Sequence, residues 1–117
     1  EALACGLPVI ASNYSAHLEF LTKDGKPLPG VELVSGKVVP YPGGDSIYYR
    51  GFNWFEPSVD DLRKKMRMVY ENYKDYKEKA LKTSLYIRKN WSWSVSVEKA
   101  VERIKSIYKL FYNITYD

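Results

Sequence analysis

Three polar side chains near the start of the chain, Glu1, His17 and Glu19, have the chemistry to hold a hydroxyl-rich ligand. An ionised carboxylate accepts two charge-strengthened hydrogen bonds from neighbouring hydroxyls, and the lone histidine is a candidate contact for a sugar hydroxyl. Taken alone, the run around Glu1 favours a solvent-facing helix glutamate, and Glu19 stands where a helix dipole favours a carboxylate in any case. Trp54, Trp91 and Trp93 have faces on which a carbohydrate could stack, but their places beside helix starts favour packing. The eleven Tyr are spread among helix stripes and loops and define no stacking platform. No metal is expected: there is no Asp-x-Asp motif, and one His with one Cys is too few for a zinc set.

The elements that would position these groups differ between the two halves. Glu1 to Cys5 are helix formers, and Gly6 stands where a left-handed residue would end a helix. Leu7 to Ser12 is an apolar, β-branched run bounded by turn formers, which predicts a strand buried on both faces. Helix, glycine and strand together make the αβ half of a parallel-sheet unit, and Asn13 to Ala16 then form the loop at the strand's carboxyl end, the edge where open α/β sheets bind ligands. A short helix is expected from His17 to Leu21. The prolines 27, 29, 40 and 42, with Gly43-Gly44, exclude long helices between Lys23 and Tyr49. Val31 to Val34 and Lys37 to Val39 read as short strands with Ser35-Gly36 as a tight turn between them.

Residues 58–117 read as helical. Ser58 with Asp61 resembles a capping box, followed by Leu62, Met66, Val69, Tyr70 and Tyr73 at helical spacing. A second helix spans about Asp75 to Lys89, with Tyr76, Ala80, Leu81 and Ile87 on its apolar side. Val97, Val101, Ile104, Tyr108 and Phe111 form one stripe along a third. One or two strands cannot cover all three stripes, so part of the core is expected to lie outside the chain.

At 117 residues the chain fits one small domain, and 45% hydrophobic with 27% charged residues excludes disordered and fibrous classes. The single Cys5 cannot make an internal disulfide, which favours a reducing, cytoplasmic setting. No apolar run approaches the ~20 residues needed to span a bilayer. Residues 1–57 carry four basic against six acidic side chains, and residues 58–117 carry fourteen against eight. Most of that basic charge falls between apolar helix positions, as on solvated faces; a non-catalytic interaction module, with basic helices binding nucleic acid or an acidic partner, is the alternative. Asn13-Tyr14-Ser15, Asn90-Trp91-Ser92 and Asn113-Ile114-Thr115 match the N-glycosylation pattern, which is frequent by chance and idle in a cytoplasmic protein.

The run Glu1-Ala2-Leu3-Ala4-Cys5-Gly6-Leu7-Pro8-Val9-Ile10-Ala11-Ser12 resembles a signature of group 1 glycosyltransferases, the retaining family four enzymes with the two-domain GT-B fold. His17-Leu18-Glu19-Phe20-Leu21 is similar to that family's short glutamate-bearing helix, Trp54-Phe55-Glu56-Pro57-Ser58 to its Trp-x-Glu-Pro element, and Trp91-Ser92-Trp93 to the aromatic-Ser-Trp element before its last helix. The four resemblances run in the family's order over nearly the whole chain. They imply an α/β fold, a partial Rossmann-like piece of the GT-B donor-binding domain, helix-rich with a few parallel strands. Residues 1–57 would be its αβ part with an irregular loop, and 58–117 its C-terminal helices.

By the same resemblance, Glu1 matches the second of two glutamates that bracket seven residues and binds the ribose hydroxyls of a nucleotide-sugar donor. Glu19 and His17 are lesser donor-side candidates. The first glutamate, the acceptor domain and the basic residues that steady the leaving diphosphate would lie upstream, so the isolated chain is expected to be inactive. The acceptor would be a sugar, glycan or lipid-linked molecule, with no metal cofactor, no nucleic acid, and any peripheral membrane association made through the other domain. Family members usually carry glycine where Ala16 stands, and its methyl group narrows the approach of a ligand to that backbone.

Overall fold

The computed structural model describes residues 1–43 and 47–112. Gly44 and the Asn113-Ile114-Thr115 pattern lie outside the described residues. In chain order the elements are β1 (Val9–Ser12), α1 (Leu18–Leu21), β2 (Thr22–Lys23), β3 (Lys26–Pro27), β4 (Val31–Val34), β5 (Gly36–Pro40), β6 (Asn53–Pro57), α2 (Val59–Glu71), α3 (Tyr73–Asn90) and α4 (Trp93–Tyr112). The fold is mixed α/β.

The first residues form a single helical turn. Cys5 N donates to Glu1 O at 3.0 Å, Gly6 N to Leu3 O at 3.0 Å and Leu7 N to Ala2 O at 3.0 Å. The last two bonds, with Gly6 at φ +70°, are the Schellman pattern that ends a helix on a left-handed residue. Leu81 lies over Gly6, where a Cβ would meet its Cδ2 at 2.7 Å. Beyond this turn, β1 pairs in parallel with β4, Val9 opposite Val31 and Ser12 opposite Val34. Every residue of β1 is half-buried, so the expected double burial is not met: the sheet has two strands and β1 has a neighbour on one edge.

Between these strands lie α1 and a hairpin that pairs β2 with β3 antiparallel. Asp24 and Gly25 form its turn at φ +52° and +73°, the pair of positive values that a two-residue type I′ turn requires.

The strands at 31–34 and 37–39 are present, but Ser35-Gly36 does not fold one back on the other. β4 pairs with β1, whereas β5 pairs antiparallel with β6, Gly36 opposite Pro57 and Pro40 opposite Asn53. Ser35 is the one residue between the two pairings. It is held on both sides, its carbonyl accepting from Ser58 N at 2.8 Å while its own N–H and hydroxyl donate to Asp61 Oδ2 at 2.7 and 2.8 Å. Gly36 must be glycine because a Cβ there would sit 2.3 Å from Glu56 O. A side chain at this position would prise the ribbon open.

Ser58 caps α2 as its sequence predicts, its hydroxyl accepting from Asp61 N at 3.3 Å. The second half of a capping box is missing, because the Asp61 carboxylate turns to Ser35. The main core gathers Leu3, Leu21, Leu28, Val31, Ala80 and Ile87, with Val9, Ala11, Leu33 and Trp91 against it. α3 can approach this closely because Ala80 presents only a methyl group and Gly30, at φ +86°, presents none; a Cβ on Gly30 would lie 2.7 Å from Ala80 N. Thr83 Oγ1 donates to Pro29 O at 2.7 Å and Tyr76 Oη to Glu32 Oε1 at 2.6 Å, tying α3 to the turn before β4 and to the first half of the strand. Leu81, expected on the buried side, is exposed. The α4 stripe is also exposed: every residue from Ser96 to Phe111 faces solvent. Among the described residues, no helix is long and apolar enough to cross a membrane.

Candidate functional site: an aromatic hollow at the carboxyl end of β1

The loop after β1 and the β5–β6 ribbon face one another across a hollow of about 560 Å³. Parallel pairing of β1 with β4 fixes the direction of β1, so that Ser12 ends the strand and Tyr14, Ser15 and His17 follow on the hollow's rim. Asn13 N continues the ladder by donating to Val34 O at 2.9 Å, after which the chain turns away. Ser15 makes that turn at φ +77°, a left-handed conformation in which a residue with a side chain is uncommon. His17 folds back, its Nε2–H donating to Ser12 O at 2.6 Å with Ser12 Oγ at 3.5 Å. This bond commits Nε2 as donor and leaves Nδ1 as an acceptor in the neutral ring.

The opposite wall comes from the ribbon: Tyr41, Tyr49, Phe52, Asn53, Trp54, Phe55 and Pro57 line the hollow. The walls meet where Tyr14 stacks on Phe55, centroids 5.1 Å apart and planes 4° from parallel. Tyr41 stands 5.8 Å from Trp54 at 62° and 4.9 Å from Tyr49 at 37°, giving the floor a curve rather than a slot. Trp54 is 53% exposed, so its face is open to a ligand. Among the described residues, no Lys, Arg, Asp or Glu lines the hollow.

Of the three expected site residues, only His17 is on this hollow. Glu1 is exposed on the turn before β1 and Glu19 is exposed on α1; neither lines the hollow, and the structure does not bring the three side chains together there. The tryptophans divide. Trp91 packs as expected, edge-on to Phe20 at 5.9 Å with Lys99 Nζ 5.3 Å from its ring centroid. Trp54 lies in the hollow, and Trp93 is 88% exposed. The reading of the tyrosines as dispersed is corrected too, since Tyr14, Tyr41 and Tyr49 converge. The available signal was local density: six aromatic residues fall between Tyr41 and Phe55.

Two basic side chains near the parallel pair are engaged elsewhere. Lys77 Nζ donates to Gly6 O at 2.7 Å, and Lys65 Nζ donates to Leu33 O and pairs with Asp61 at 3.2 Å. Among the described residues, no three His, Cys, Asp or Glu side chains gather as a metal ion would need. No protein-family model matches the chain, and neither a curated protein nor a solved structure matches it.

Proposed function

We propose that the chain is part of a retaining glycosyltransferase that moves a sugar from a nucleotide-sugar donor to a sugar, glycan or lipid-linked acceptor. The observation that carries this reading is the order of parts in the first 34 residues. A glycine-ended turn leads into a strand that pairs in parallel with the next long strand, and the loop after it opens on a ligand-sized hollow. We read this order as half of a Rossmann-like unit, a fold whose ligands bind beyond the carboxyl ends of its strands. The glutamate-bearing run at residues 1–12 adds the residue type that holds a ribose diol. The donor side of the site is assigned to Glu1, with Glu19 and His17 as secondary contacts, and the chemistry needs no metal.

The test is ligand contact and kinetics together. Saturation-transfer NMR with uridine or guanosine diphosphate shows transfer to the nucleotide; a salt-sensitive gel shift with random RNA or DNA in place of that contact points to the basic-helix interaction module. In the transferring enzyme, Glu1→Ala weakens donor use by roughly 1.5–3 kcal/mol, the size of one lost hydrogen bond to a charged group. Unchanged donor kinetics removes Glu1 from the site.

A further inference from the structure

We infer that the aromatic hollow seats an uncharged pyranose, apart from the place where the donor's diphosphate is held. Its separation from a donor rests on the transferase reading; the binding chemistry rests on the hollow alone. Large apolar rings left open to water in a concave patch mark a binding surface, and the volume of about 560 Å³ lies within the roughly 300–1,000 Å³ common for small-molecule sites.

What kind of ligand fits follows from the lining. Aromatic faces carry the negative side of the ring quadrupole, and the C–H groups of a pyranose face present weakly positive hydrogens to them. The exposed faces of Trp54 and Tyr49 supply that surface. Ser12, Ser15 and Asn53 supply neutral donors and acceptors for hydroxyls at the rim. A nucleobase would be served better by a parallel slot, whereas the open rings lie at 37° and 62° to Tyr41 and enclose a curved, non-planar guest. A phosphate group is disfavoured, because no cationic side chain among the described residues lines the walls. Charge would be stranded there.

The three tryptophans make the test internal to the molecule. The full chain, ¹⁵N-labelled at the indoles, is titrated to millimolar concentration with glucose-, galactose- and mannose-configured disaccharides, and separately with uridine and guanosine diphosphate. The Trp54 signal is expected to move with at least one disaccharide while Trp91, packed on the core, and Trp93, exposed far along the chain, stay in place. Tyr49→Ala is expected to weaken that titration at least tenfold while the Trp91 signal reports an intact core. Three results overturn the inference: no disaccharide moves Trp54, Trp93 moves along with it, or a nucleoside diphosphate moves Trp54. Disaccharide binding at Trp54 with no nucleoside diphosphate contact anywhere on the chain instead sinks the transferase reading and leaves the hollow as a carbohydrate seat.

Discussion

Asp61 shows how one side chain can join three elements. Its carboxylate accepts two hydrogen bonds from Ser35, where β4 gives way to β5, and pairs with Lys65 one turn along α2. The Ser35 backbone and hydroxyl bonds, helped by Lys65, hold its pKa below the ordinary 3.8. A lowered carboxylate pKa gives stability that is full above the unfolded value and is lost as pH falls through the folded one. Asp61→Asn is therefore expected to melt earlier than the parent above the ordinary carboxylate value of 3.8 and to converge with it as the pH falls through the lowered folded value, as followed by Tm across an acid pH series. Gly30 is the second sensitive residue. Its φ of +86° strains any side chain, and a Cβ would strike the Ala80 backbone at 2.7–2.8 Å. Gly30→Ala should cost roughly 2–5 kcal/mol, combining strain and overpacking, and urea unfolding would show it as a lower midpoint.

Among elements, the helices were the most legible. The Ser58 cap, the α3 span and the α4 stripe all follow from residue types at fixed spacing, and the structure differs by only a few residues at their ends. Strands β1, β4 and β5 are legible too, but β6 and the short β2–β3 hairpin are not, and neither is partnership. β4 and β5 are separated by one residue, and nothing local tells the chain that one strand pairs backward to Val9 and the other forward to Phe55. Hidden for the same reason was the hollow, whose walls are some thirty residues apart in sequence. The Asp24-Gly25 turn, by contrast, is readable from its dipeptide, which favours positive φ at both positions. Tyr76 fastens α3 to β4 and offers a test of that packing. Burial first, and then its hydrogen bond to Glu32, push its pKa up to about 12 from 10.0. A raised value gives stability that is full below the unfolded pKa and is lost as pH rises through the folded one. Wild type should thus lose stability between pH 10 and about 12 more steeply than Tyr76→Phe. At neutral pH the variant should be less stable by about 1–2 kcal/mol in chemical denaturation.

The whole molecule is elongated. Its radius of gyration is 18.9 Å, against the roughly 13 Å typical of a compact domain near this size, and its extents are 57 × 44 × 21 Å. Much of the excess lies in what the helices leave uncovered, including Met66 and Tyr70 on α2 and Val97, Val101 and Ile104 on α4. The buried residues sit instead around α3 and the parallel pair. A 20-residue helix facing water from Ser96 to Phe111 gains little from burial, and in proteins most helical stability comes from packing an amphipathic face rather than from propensity. Its amide protons should exchange with deuterated solvent orders of magnitude faster than those of Ala80 and Ile87, and equal protection of the two segments would contradict this. A heating scan followed by circular dichroism would then lose α4's ellipticity gradually, before the cooperative transition of the rest.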